Sequence, residues 1–101
     1  MLNIYTEYYD NNELTVTLAG RLDTTTAPQL DETLAASLDG VTYLVFDMQD
    51  LEYISSAGLR VLLRAQKIMN VQGSMAIRNV SEDVYEIFDV TGFASVFSIE
   101  Q

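Results

Sequence analysis

Tyr43 to Lys67 reads YLVFDMQDLEYISSAGLRVLLRAQK, and how this stretch divides decides the fold. Together with the two residues before it, its first part, VTYLVFDM, is apolar and β-branched nearly throughout, as expected of a strand at the centre of a sheet covered on one or both faces. From about Ser56 to Asn70 the apolar residues recur at helical period, with Leu59, Val61, Leu62, Leu63, Ala65, Ile68 and Met69 filling most of the circumference. QDLEYIS lies between as a connection. A buried strand feeding directly into a helix is the first half of a parallel crossover.

Working outward, LNIYTEYY and ELTVTLAG alternate apolar and polar residues around the turn chemistry of DNNE, which predicts an N-terminal β-hairpin. TTTAPQLDETLAASLDG follows with a Thr cap, Pro28 near the first helical position, Ala27, Leu30, Leu34 and Leu38 on one face, and Asp39-Gly40 as a stop. After the Ser56 helix, VQGS precedes a short strand, MAIRN. A third helix, SEDVYEIFDVTG, has a Ser cap and an acidic first turn, and FASVFSIE is expected to add a last strand. The order β-β-α-β-α-β-α-β predicts a single α/β domain over residues 1–101, with a mixed, mostly parallel sheet, an N-terminal hairpin and helices packed against it. No repeat, linker or low-complexity segment interrupts it.

The chain is too short for two cores, so any function resides on the surface of one small unit. Its formal charge of −10 is unevenly placed: residues 1–58 hold one Arg against ten acidic groups, whereas residues 59–101 hold four basic against five acidic groups. Phosphate backbones repel such a surface, and nucleic acid is not expected as a direct partner. No apolar run approaches the roughly 20 residues that span a bilayer, and the start lacks the regions of a signal peptide, so no membrane insertion is expected and the chain is read as cytoplasmic. Without cysteine or histidine there are no disulfides, no thiol chemistry and no Cys/His zinc site.

The sequence ISSAG at the carboxyl end of the central strand is where chemistry gathers in such sheets. One serine is explained by capping, since its hydroxyl can accept a bond from a free N–H of the first helical turn. The second serine and Gly58 ask for more: a glycine permits close approach of backbone or partner, and a helix N-terminus tolerates an anion. A nucleophilic serine would need a base, but the chain has no His, and Lys67, its one lysine, lies about three turns down the helix from Ser56. An enzyme is therefore not expected. A serine that accepts a phosphoryl group in another protein's active site needs no base of its own.

Two further groups carry alternatives. Asp47 and Asp50, after the central strand, suit either solvated carboxylates or a receiver-like phosphoacceptor site, though the latter needs more acids around Mg²⁺ and a cation at the phosphate. Arg60, Arg64 and Lys67 share a sector of the helix with Ser56, and this basic ridge is read either as a solvated face or as a partner surface. Tyr5, Tyr8, Tyr9 and the four methionines are read as packing residues.

These segments together resemble the STAS domain, named for sulfate transporters and anti-sigma factor antagonists, and in particular its small free-standing bacterial members. LTVTLAGRLDTTTAPQL is similar to the family's hairpin strand, Gly-x-Leu-Asp loop and first helix. YLVFDMQDLEYISSAGLRVLL is similar to its central strand and phosphorylation loop, and VYEIFDVTGFASVFSI to its closing helix and strand. The resemblance implies a non-enzymatic anti-anti-sigma factor. Such a protein binds an ATP-dependent serine kinase that doubles as anti-sigma factor, is released on phosphorylation, and is reset by a serine phosphatase. Carried over residue by residue, the acceptor is Ser56. Ser55 takes the position that is often Asp, Ala57 follows, Gly58 is the motif glycine, and Asp23 matches the acidic residue of the neighbouring loop. Asp23, Ser55, Ala57 and Gly58, with Arg60 and Arg64, are the expected partner-binding residues. Nucleotide and Mg²⁺ belong to the kinase, so no cofactor is expected, and a monomer is. The alternative is a STAS subunit with a structural or ligand-binding role in a transporter-associated or scaffold assembly, with Ser56 only a cap.

Overall fold

The computed structural model describes residues 1–9 and 12–100. The hairpin strands are β1 (Leu2–Tyr9) and β2 (Glu13–Leu22), paired antiparallel from Leu2 opposite Gly20 to Tyr9 opposite Glu13. Of the expected DNNE turn, Asp10 and Asn11 lie outside the described residues, and Asn12 adopts the left-handed conformation with φ 63°. Then follow α1 (Ala27–Ser37), β3 (Tyr43–Ile54), α2 (Ser56–Gln72), β4 (Ser74–Arg78), α3 (Glu82–Val90) and β5 (Ile99–Glu100). The sheet order is β1-β2-β3-β4-β5, with every pair after the hairpin parallel. This is the mixed α/β architecture expected.

The register sorts the strand residues into two faces. Leu14, Leu44 and Met75 stand side by side, as do Val16, Phe46, Ile77 and Ile99, and all but Ile99 are buried. The three crossovers step in the same direction across the sheet, and right-handed connections place all three helices on one face. Leu30 and Leu34 of α1, Leu59, Leu62 and Met69 of α2, and Val84 and Phe88 of α3 join those strand residues in one core. The opposite face carries Thr15, Thr17, Tyr43, Asp47 and Arg78, where Arg78 donates to the Glu100 carboxylate at 2.9 Å and to the Tyr43 hydroxyl at 3.2 Å. Val45 and Ala76, also on that face, are buried but stand outside the main core.

Four expectations are corrected. The segment QDLEYI is not a connection: β3 continues to Ile54, with Ala19 opposite Asp50 and Leu22 opposite Ile54 after two register shifts at each of which β3 carries an extra residue. The break in its apolar pattern reflects those irregularities and the exposed Gln49, Asp50 and Glu52, not the end of the strand. Most of FASVFSIE is not strand either, because Phe93–Ser95 form a 3₁₀ turn that stacks Phe93 on Phe97 at 5.8 Å, leaving only Ile99–Glu100 to pair with β4. The tyrosines of β1 are not packing residues: Tyr5, Tyr8 and Tyr9 are exposed by half or more on this edge strand, and the Tyr8 hydroxyl donates to the Ser37 carbonyl at 2.8 Å. Met1 is exposed too, while Met48, Met69 and Met75 pack in the interior.

The fourth correction concerns the start of α1, where Thr26 makes no side-chain cap. Its hydroxyl accepts from Asp23 N at 2.8 Å and donates to the Arg21 carbonyl at 2.9 Å, and the carboxylate of Asp23 receives the N–H groups of Thr25 and Thr26 instead. An aspartate that gathers the amides two and three residues on closes an Asx-type turn, which brings β2 abruptly into α1.

Candidate functional site

Leu22 and Ile54 are register partners at the carboxyl ends of β2 and β3, and Ser55 N donates to the Leu22 carbonyl at 2.9 Å beyond them. Asp23 and Ser55 therefore leave the sheet side by side. Ser55 keeps an extended backbone, φ −97° and ψ 174°, and its Oγ accepts from Gly58 N at 3.4 Å, while its carbonyl takes the Leu59 N–H at 2.9 Å. Ser55 is thus the helix cap. Ser56 is the first helical residue, exposed, and its hydroxyl has no partner among the described residues.

The two serines accordingly separate into a structural and a free one. Ser55→Ala leaves Gly58 N without its acceptor and is expected to cost about 1 kcal/mol, about 5 °C in Tm for a domain of this size. Ser56→Ala should stay within about 0.5 kcal/mol of the parent chain. Chemical denaturation of the two variants checks the assignment, and a larger loss for Ser56→Ala would reverse it.

Gly58 is buried in the first turn of α2, and what approaches it is the protein's own core: a Cβ there would stand 2.6 Å from Leu22 Cγ and 3.0 Å from Ile54 Cγ1. Its missing side chain lets the helix start lie directly on the ends of β2 and β3, holding Ser56 at the rim. Ala57 is half-buried beside it. Of the expected partner-facing group, Asp23, Ser55 and Ser56 are brought together at this rim, while Gly58 acts from beneath.

The Asp23 carboxylate is fixed by the bonds already named and by the Thr25 hydroxyl at 2.8 Å. That last bond, ahead of the backbone N–H groups, holds the carboxyl below its usual range. Arg21, opposite Tyr53 in the register, lays its guanidinium over the Tyr53 ring at 4.5 Å from the centroid and approaches Asp23 Oδ2 at 3.9 Å. Sequence reasoning passed over Arg21, Thr25 and Tyr53, and gave Thr26 only the role of a cap. The run Asp-Thr-Thr-Thr carried a signal for the Asx-type turn, but the Arg21–Tyr53 contact depends on a register that local sequence does not display.

On α2 the basic ridge is real as a row and uneven as a charge. Arg64 is ion-paired with Asp31 of α1 across the groove between the helices. Arg60 and Lys67 are exposed and have no ion-pair partner among the described residues. Arg60, one turn from Ser56, is therefore the ridge cation at the rim that remains unpaired.

Asp47 and Asp50 lie within β3 and not after it. Asp47 Oδ1 receives Gln49 N and Asn79 Nδ2, both at 3.1 Å, and among the described residues no third acidic side chain joins them in a group able to hold a metal ion. The two carboxylates are accounted for as strand residues on a solvated side of the sheet.

Comparison with known proteins places these features in context. The STAS domain family model matches residues 3–101. "Putative anti-sigma factor antagonist BtrV" of Bordetella bronchiseptica is 41% identical over 84 residues, covering 81% of this chain and 72% of that protein. The anti-sigma-B factor antagonist of Bacillus subtilis is 32% identical over 100 residues, covering 97% of this chain and 92% of that one. The crystal structure of an anti-sigma factor antagonist from Mycobacterium paratuberculosis shares the fold with a TM-score of 0.88 at 22% identity, over 98% of this chain and 85% of that chain.

Proposed function

The chain belongs to the STAS domain family, and from that premise we propose that it is an anti-sigma factor antagonist controlled by phosphorylation of Ser56. In its unphosphorylated form it binds, through the rim around Ser56, an ATP-dependent serine kinase that otherwise holds a sigma factor. The kinase then transfers a phosphoryl group: Ser56 Oγ attacks the γ-phosphorus of ATP, the bond to the ADP oxygen breaks, and the hydroxyl proton passes to a base of the kinase. ADP and the phosphorylated chain separate, and a serine phosphatase restores the hydroxyl.

The observation that carries this reading is the division of labour between the serines. Ser55 satisfies the helix start, which leaves the Ser56 hydroxyl exposed and unbonded at the first helical position. A hydroxyl so placed can enter a foreign active site without unfolding anything, and the adjacent N-terminal dipole favours the dianion once it is made. Arg60 and Asp23 flank it with charges of opposite sign that a partner can read.

The test is to incubate the chain with its cognate serine kinase and ATP, and to map the product by mass spectrometry. A single phosphate on Ser56, absent from Ser56→Ala, is the expected result. Phosphate on Ser55 would move the acceptor by one position. No phosphate at all, with stable binding to a transporter or scaffold protein in its place, would favour a STAS subunit that uses Ser56 only structurally.

A further inference from the structure

We infer that Arg60 is an internal clamp for the phosphate on Ser56, so that phosphorylation withdraws a cation from the docking rim as well as adding a dianion. The inference rests on the phosphoswitch reading and concerns how the switch acts. Ser56 and Arg60 stand four residues apart on α2, which brings their Cβ atoms to about 5–6 Å. Side chains on a helix lean toward its N-terminus, so the long Arg60 side chain sweeps over the turn that begins at Ser56.

The competing cations are otherwise engaged or distant. Arg64 is held by Asp31, Arg21 is stacked on Tyr53 and drawn toward Asp23, and Lys67 lies about three turns from Ser56. Arg60 has no ion-pair partner among the described residues, and neither has the Ser56 hydroxyl a hydrogen-bond partner. In the unphosphorylated chain Arg60 projects into solvent and is free to meet an acidic group on the partner. Once Ser56 carries a phosphate, the nearest dianion to Arg60 is one turn away on its own helix, and a guanidinium can grip two phosphate oxygens at once. The partner then meets a rim that has gained a negative group and lost its free arginine.

The clamp is tested without any kinase, by incorporating phosphoserine at position 56 during synthesis and following its ³¹P resonance through a pH titration. The expected result is a midpoint that rises by about half a pH unit in Arg60→Gln, is largely restored in Arg60→Lys, and is unmoved in Arg64→Gln and Lys67→Gln. The same samples show whether the backbone is intact through their amide spectra. Equal midpoints in the parent and Arg60→Gln would overturn the clamp, as would a shift in Arg21→Gln in its place. Either outcome leaves the phosphoswitch itself to be judged separately, by whether the phosphoserine chain still binds the kinase.

Discussion

Ser56→Asp is expected to weaken binding to the serine kinase by about 30-fold or more while leaving the melting temperature unchanged or slightly raised. The carboxylate lands on a hydroxyl that has no bond to lose, at the first position of α2, where a negative charge is mildly stabilising, about 0.3–1 kcal/mol. On the partner side the same charge must be desolvated in a contact built around a neutral serine, a penalty of about 2 kcal/mol or more, which corresponds to the stated loss. Ser56→Ala, by contrast, should keep its affinity. Calorimetric titration of the three chains against the kinase, alongside their melting curves, makes the comparison. Affinity for Ser56→Asp within threefold of the parent would remove Ser56 from the centre of the contact.

The largest stability effect is expected far from the rim, at Gly73. This residue ends α2, and its φ of 171° lies outside the left-handed range, which therefore does not demand glycine there. Space does. An added Cβ would overlap the Thr42 carbonyl oxygen, which is backbone and is itself the acceptor for Ser74 N at 3.0 Å. Gly73 N in turn donates to Met69 O at 2.7 Å. A methyl group here must part the end of α2 from the approach to β3 and disturb the bond that begins β4, at a cost of about 3 kcal/mol. Gly73→Ala should therefore melt more than about 10 °C lower than the parent. A loss below 1 kcal/mol in chemical denaturation would show that the junction yields.

The same junction illustrates what the sequence could and could not convey. VQGS marks Gly73 as a helix stop, which it is, but the reason it cannot be another residue is the passage of Thr42, more than 30 positions earlier. The period of Leu59 to Met69 and the apolar run Leu44 to Phe46 made α2 and β3 legible, and with them the parallel order. Their boundaries were less so. A polar stretch such as Gln49 to Glu52 reads as loop when its pairing lies on one side only and it carries extra residues that shift its register. At the site, two adjacent serines both suit a cap by composition, and only the backbone angles show that Ser55 takes the role. The ridge of Arg60, Arg64 and Lys67 was visible from helical spacing, but the pairing of Arg64 with Asp31 joins residues 33 apart and distinguishes members of the row that sequence treats alike.

The overhang of β3 beyond β4 gives the molecule a direction. At the row of Tyr5, Thr17, Asp47, Arg78 and Glu100 the sheet is five strands wide; at Leu2, Gly20 and Leu51 it is three; at Leu22 and Ile54 it is two. The domain tapers to a prow, and Ser56 rides on it. A prow can be inserted into a recess and touched from several sides at once, whereas a broad sheet edge can only be laid against another surface. Under the proposed function, a partner that reaches Ser56 meets this narrow end first, and a phosphate there stands at the point of approach although it alters only one corner of the domain.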